Sequence, residues 1–382
     1  MRVEKTRYYS YKLGELPKGC KLCVKGSKLV VFITGLCPRN CYFCPISDEK
    51  YNKDIIYADE WKIEDVKDLI AEAKLINAEG AGITGGDPLC KLDRTIKYIK
   101  LLKKEFGKSF HIHLYTSLDL VNKENLARLY EAGLDEIRFH LDLNDKKYWG
   151  RIKLAFDFEW DVGVELPVIP EEKFLKDIIL FIKENDKIKF LNLNELEVSD
   201  NKQNKLLEKG FTTKDDISYA VKSSEEYALE LLRFAAKEKI KFNIHYCTSK
   251  LKDRVQLTNR IKRRAKNVAN NFDIITDEGT LIRGVFYLKE LSPGFDYRKK
   301  LDGLKNKKDY LKKLLKLRDY LINKYGIKED FIDIDELNLR LLTSKNIILS
   351  LRGKLKREEF MAAVVEEYPT QDCLEVEIDF IS

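Results

Sequence analysis

From about residue 28 to 246, short apolar, β-branched runs alternate with stretches whose apolar positions recur at helical spacing. Residues 28–34 (KLVVFIT) read as a strand buried on both faces. Residues 63–76 read as a helix with Asp and Glu on its outer face. A strand at 80–84 stops at Gly85-Gly86, followed by a helix at 92–106, a strand at 110–115, a helix at 123–132 and a strand at 136–141. Strands at 162–168 and 190–193 bracket a helix at 172–184, and a helix at 224–238 leads to a strand at 241–246. Strand–helix alternation requires parallel neighbours joined by right-handed crossovers. Six or seven such units favour a barrel over a doubly wound sheet.

After residue 246 the pattern changes. Residues 250–266 form a basic helical segment, the turn at 277–279 predicts a hairpin, 309–324 reads as a helix, and 347–351 and 374–380 read as strands. The fold class expected is α/β. Residues 1–27 form an N-terminal extension, 28–250 a partial (β/α) TIM-like barrel, and 251–382 a smaller basic α+β domain. Lys25-Gly26-Ser27 predicts a turn that brings Cys23 and Val24 back beside the first strand.

The 382 residues are 44% hydrophobic and 35% charged, enough for a sizeable core and unlike a disordered chain. No run has the length of a membrane span and residues 1–20 lack a signal-peptide core, so a soluble, cytoplasmic protein is expected. The 2 Met and 4 His, with abundant Lys and Glu, match the bias of proteins from hot environments.

Five of the eight cysteines fall between Cys20 and Cys44; the others are Cys90, Cys247 and Cys373. In a cytoplasmic protein such clustering points to metal or redox chemistry. Cys37, Cys41 and Cys44 follow the first strand with the spacing Cys-x3-Cys-x2-Cys. Three thiolates on one loop can bind three irons of a 4Fe–4S cluster and leave the fourth iron without a protein ligand. A zinc knuckle with a borrowed fourth ligand is the competing reading. The loop lies where parallel α/β folds bind ligands, at the carboxyl end of a strand.

With Phe43 before the last cysteine and Gly85-Gly86-Asp87-Pro88 after the second strand, residues 28–246 resemble the radical S-adenosylmethionine (SAM) superfamily. Asp87 stands where the family's Gly-Gly-Glu-Pro-like turn usually carries Glu. Gly19-Cys20-x2-Cys23 and Asn194-Glu195-Leu196-Glu197 are similar to archaeal-type proteins related to the pyruvate formate-lyase activating enzyme. The resemblance implies a 4Fe–4S cluster on Cys37, Cys41 and Cys44, with Phe43, Gly85, Gly86 and Asp87 positioning SAM. It also implies SAM cleavage to a 5′-deoxyadenosyl radical, hydrogen abstraction from a substrate in the barrel, and an electron donor such as ferredoxin or flavodoxin. Ser117 and Asp142, and Thr116 beside them, are expected to contact ribose or carboxylate, or else to form turns and caps.

His111, His113, His140 and His245 all fall on predicted strands, as cavity groups or as core. Glu165 and Glu195, late on strands five and six, need partners: SAM, substrate or a lysine. Cys20 and Cys23, with Cys247 or Cys90, are candidates for a second metal site, against small buried thiols; Cys373 reads as structural.

Residues 231–320 carry 24 Lys+Arg against 10 Asp+Glu, including Arg254, Arg260, Lys262, Arg263, Arg264 and Lys266 in one block. Such a block suits phosphates, or is a solvated helix face. The expectation is therefore a radical SAM enzyme on a macromolecular substrate, RNA before a polypeptide. An activase that installs a glycyl radical on a partner protein is one alternative. A non-enzymatic iron–sulfur or zinc nucleic-acid-binding protein is the other.

Overall fold

The computed structural model describes residues 1–170, 172–355 and 360–381 and divides into two compact units, Met1–Arg260 and Ile261–Ser382. The first contains, in order, β1 (Val3–Lys5), β2 (Tyr11–Leu13), α1 (Lys18–Lys25), β3 (Lys28–Phe32), β4 (Tyr57–Ala58), β5 (Trp61–Lys62), α2 (Val66–Leu75), β6 (Gly80–Thr84), α3 (Leu92–Phe106), β7 (His111–Ser117), α4 (Lys123–Glu131), β8 (Glu136–His140), β9 (Asp161–Val168), α5 (Lys173–Lys183), β10 (Ile188–Glu195), α6 (Ser224–Lys237) and β11 (Asn243–Cys247). The sheet order is β1-β2-β11-β10-β9-β8-β7-β6-β3-β4-β5. From β3 to β11 every neighbouring pair is parallel. A doubly wound sheet would reverse this order partway. The sequential order, with both edges continued by antiparallel strands, makes an open, partial (β/α) barrel among the described residues.

Alternation along the strands separates two environments. Val31, Ile83, Leu114, Ile137, Val164 and Leu191 join the apolar core with helix residues such as Leu69, Ile99, Leu126 and Ile178. The complementary positions turn inward and are polar: Lys28, His113, Tyr115, Arg138, Glu165, Asn192 and His245. A 3-10 segment, Trp149–Asp157, replaces the helix after β8.

The expected return of Cys23 and Val24 beside the first strand is corrected. They lie in α1, which ends at Gly26 in the left-handed conformation (φ 68°), whose N–H donates to the Cys23 carbonyl. The turn at 25–27 is thus a helix cap. The Gly19 N–H faces Glu136 Oε2 at 3.4 Å, setting α1 against the inner face of β8.

The second unit is an α+β structure. Its antiparallel sheet has the order β14 (Ile332–Asp335), β15 (Arg340–Thr343), β13 (Leu281–Leu288), β16 (Phe360–Glu367), β17 (Glu375–Ile381), with β12 (Ile274–Ile275) also on β13. β12 and β13 form the expected hairpin, and the helix Lys307–Tyr325 covers 309–324. The strand expected at 347–351 is instead part of the helix Lys345–Ser350. Ser344 caps it, accepting from the Ile347 N–H at 3.2 Å, and the cap overrides the β-propensity of two isoleucines.

Candidate active site

The cysteine loop is built onto the end of β3 by the turn after β6. Gly86 N–H donates to the Thr34 carbonyl and Asp87 N–H to that of Leu36, both at 2.8 Å, extending the β3–β6 pairing past the strand ends. Gly85 has φ 151°, and a Cβ on Gly86 would stand 2.3 Å from the Leu36 carbonyl oxygen. Only glycines allow this approach of backbone to backbone. Arg39 ties the loop to the next strands: its Nε donates to Asp119 Oδ2 at 2.5 Å and its Nη1 to the His140 carbonyl at 3.0 Å. Asp54 braces the base, accepting from Thr34 Oγ1 at 3.0 Å and from Arg94 Nη1 at 2.6 Å. On the outer side, Asn201 Nδ2 donates to the Cys44 carbonyl and Lys205 N–H to that of Tyr42.

Cys37, Cys41 and Cys44 share the wall of a cavity of about 770 Å³ with Phe43, Gly85, Gly86, Thr116, Ser117, His140 and Glu165. Burial pushes the Cys37 thiol up to about 12 and Cys41 up to about 11, so without metal both are protonated thiols. Among the described residues, no three of His, Cys, Asp and Glu stand close enough to clasp one metal ion. Three thiols on one loop at the wall of a cavity are a donor set that suits a 4Fe–4S cluster with its fourth iron open to that cavity.

The other expected site residues divide. Asp87 lies behind the cavity wall, fully buried, accepting from Ser117 Oγ (2.6 Å), Ser117 N–H (3.0 Å), Thr116 Oγ1 (2.8 Å) and Leu89 N–H (3.0 Å). It fixes the turn and the end of β7, and its carboxylate has no room for a ligand. Ser117 lines the cavity, but its hydroxyl proton is committed to Asp87. Asp142 faces a smaller hollow of about 290 Å³ on the other side of the cysteine loop, and its Oδ1 accepts from the backbone of Asn144 and Asp145. It is a turn former in this structure.

Of the partners expected for Glu165, SAM, substrate or a lysine, the last is replaced by an arginine. Arg138 Nη1 donates to its Oε2 at 2.7 Å, joined by Asn192 (2.9 Å) and by Asn194 to Oε1 (3.0 Å). Burial acts to raise the Glu165 pKa, but these donors overcome it and hold the group below the ordinary carboxylate range. Glu195 accepts from the Ser249 N–H at 2.8 Å. His140 lines the cavity beside Phe43, with ring centroids 6.0 Å apart. His111 faces Glu136 at 3.5 Å, His113 faces Tyr115 Oη at 3.2 Å, and His245 faces Ser10 Oγ at 3.2 Å. Burial lowers the pKa of all four, to about 4 for His140 and His245.

Of the thiols expected to hold a second metal, Cys20, Cys23 and Cys247 are electrostatic neighbours of one another. Cys20 Sγ accepts from Asn192 Nδ2 at 3.1 Å and Cys247 from Gln256 Nε2 at 3.7 Å, while Cys90 belongs to the 3-10 turn after Asp87. Cys373 lies in the second unit, donating to the Thr370 carbonyl. Sequence reasoning missed Arg39, Arg138, Tyr115 and Lys28. The two-residue period that put His111 and His113 on one face also reaches Tyr115, and carried back from His140 it reaches Arg138.

The sequence model of the Radical SAM superfamily matches residues 31–160. A Methanocaldococcus jannaschii protein, provisionally named a glycyl-radical enzyme activating enzyme, is 40% identical over 99% of this chain and 96% of its own. Biotin synthase of Pseudoalteromonas translucida is 30% identical over 33% of this chain and 35% of its own. Among solved structures, methylornithine synthase aligns with a TM-score of 0.38 at 15% identity, covering 55% of this chain and 62% of that one. Streptococcus suis SuiB bound to precursor peptide SuiA aligns at 0.40 and 14% identity, covering 66% and 53%. The fold assignment rests on the strand order, the family on the sequence matches. The chain belongs to the radical SAM superfamily and is an enzyme whose cofactors are S-adenosylmethionine and a 4Fe–4S cluster.

Proposed function

We propose that this enzyme abstracts hydrogen from a backbone glycine of a partner protein, installing a glycyl radical. The observation that carries this reading is the likeness to the M. jannaschii protein along nearly the whole of both chains. The cavity supports it: about 770 Å³ is in the upper range for ligand pockets, with space for SAM and part of a substrate segment. Cys37, Cys41 and Cys44 would hold the cluster, leaving one iron for SAM. Once bound and reduced, by a donor such as ferredoxin or flavodoxin, these cofactors supply the 5′-deoxyadenosyl radical.

The chain's own residues orient and enclose. Gly85 and Gly86 let backbone approach SAM, Phe43 forms wall beside the cluster, and Asp87 keeps the turn rigid through Ser117 and Thr116. Arg39 holds the loop in place, and the Glu165–Arg138 pair keeps the cavity's inner wall from shifting. Glu197, paired with Lys252, lines the cavity after β10.

The RNA reading is not adopted. Arg260 is 16% exposed and pairs with Asp59 at 3.3 Å and with Glu60, and Arg264 is buried with its Nε donating to the Pro369 carbonyl. Two of the six cations that suggested phosphate binding are thus structural. The non-enzymatic alternative gives way to membership of an enzyme superfamily. Anaerobically reconstituted protein, SAM, a reductant and a partner labelled with deuterium at glycine α-carbons provide the test. Deuterium in 5′-deoxyadenosine and a glycyl radical signal on the partner are expected. SAM cleavage with no label transferred from any glycine would overturn this substrate assignment while leaving the enzyme class intact.

A further inference from the structure

The cavity also contains an ammonium group with no carboxylate of its own. Lys28, the first residue of β3, is 9% exposed and lines the cavity. Its Nζ has His113 Nε2 at 3.5 Å, the Tyr115 ring centroid at 5.9 Å and the Cys23 thiol as neighbours. Among the described residues none of its polar neighbours is a carboxylate in ion-pair contact. The adjacent cation is treated differently: Arg138 takes both Glu136 and Glu165. His113 cannot supply the missing charge. Burial, with Arg138 and Lys28 close by, holds its pKa well below the ordinary value, so the ring brings no charge of its own. A buried cation with no carboxylate in contact gains from an anion brought to it.

Position along the strand indicates which anion. Lys28 pairs with Gly80 and Phe32 with Thr84, so Lys28 stands at the far end of β3 from the cysteine loop. The six residue steps from Lys28 to Thr34 correspond to about 20 Å of extended chain. The ammonium root is therefore remote from the turn at Gly85 and Gly86, and serves whatever occupies the opposite end of the cavity.

We propose that the end of the cavity at Lys28 is an anion subsite for a carboxylate carried by the substrate. The inference rests on the partner-protein reading and deepens it: the segment entering the barrel carries an Asp or Glu side chain beyond its reacting glycine. Binding would place that carboxylate on Lys28 and give the segment a fixed depth and direction.

The test uses cluster-reconstituted, SAM-loaded protein and two probes, N-acetyl-Gly-Gly-Asp-amide and its Asn counterpart, titrated calorimetrically. Wild type is expected to bind the Asp peptide at least tenfold more tightly than the Asn peptide. Lys28→Met should erase the preference, Lys28→Arg should retain most of it, and neither should change the affinity for SAM. Equal binding of the two peptides by wild type, or a preference that survives in Lys28→Met, overturns the proposal. So does a Lys28→Met variant that weakens SAM instead, because the anion served would then be the cofactor's own carboxylate. None of these results bears on whether deuterium moves from glycine, so the two readings fail separately.

Discussion

Lowering the pH from 7 to 5 protonates histidines in an unfolded chain but not those sealed inside the barrel, and the difference is measurable as lost stability. His245 is 1% exposed, and burial pulls its pKa down to about 4; burial and the nearby Arg39 do the same for His140. In the unfolded chain each returns to about 6.5. The unfolded state therefore binds more protons between the two values. The stabilisation is complete above about 6.5 and is lost as pH falls towards 4. Between pH 7 and 5 each of these two histidines costs about 2 kcal/mol, or about 4 for the pair. His111 and His113 add to the loss with the same sign. Asp87, raised by burial, works the other way, while Glu165, held low by its donors, adds to the loss. Against a typical total of about 5–15 kcal/mol this is a large fraction. All three tryptophans, Trp61, Trp149 and Trp160, lie in the first unit, as do all four histidines. Urea unfolding followed by tryptophan fluorescence thus reads that unit alone, and His245→Asn should reduce the difference between pH 7 and 5. Unchanged unfolding free energy between the two values, or imidazole resonances of the folded protein titrating near 6, would refute the reasoning.

Gly86→Ala forces a Cβ against the Leu36 carbonyl, an overpacking cost of about 1–3 kcal/mol, and should lower iron uptake while leaving the circular dichroism unchanged; normal iron content would refute it. Arg39→Met removes a charged hydrogen-bond pair worth about 1.5–3 kcal/mol from the loop, so a chelator should strip the cluster at least several-fold faster than from wild type. Arg138→Met leaves Glu136 and Glu165 without their cation and should cost about 3–5 kcal/mol in the tryptophan-monitored unfolding; a loss below about 1 kcal/mol would mean that the pairs are not formed.

The barrel was legible in the sequence because its signals are local. The run at 28–34, the glycine stop after 84 and the apolar helix faces each encode one element, and the cysteine spacing lies within a single loop. What escaped is encoded by partners distant in sequence. α1 is a short helix whose Gly19 is set against Glu136, 117 residues away, and nothing in the spacing of Cys20 and Cys23 says that they face Asn192 and Lys28. Asp87 sits at the expected place in its motif, yet its role follows from Thr116 and Ser117, which approach it only once β7 lies beside β6. The basic block was legible only in part for the same reason: charge composition counts cations, but Arg260 and Arg264 are engaged by Asp59 and the Pro369 carbonyl.

A polar barrel interior is not the stable default. Parallel barrels usually fill the space with layers of Val, Ile and Leu, and apolar replacement of a buried ion pair is often neutral or stabilising. Here the space is instead taken by Arg138 with its two glutamates and by neutral histidines, and Gly163 leaves room for the Phe190 ring, against which a Cβ would stand 2.1 Å away. Apolar layers would close over the axis. Charged and hydrogen-bonded side chains are held at fixed positions by directional contacts, so they can line a volume without filling it. The same low dielectric that makes these groups costly strengthens each interaction between them, and would strengthen their interactions with a bound substrate. On this account the energy given up in the interior and the cavity beneath the cysteine loop have one cause: the polar network keeps the barrel hollow enough for a reaction to take place inside it.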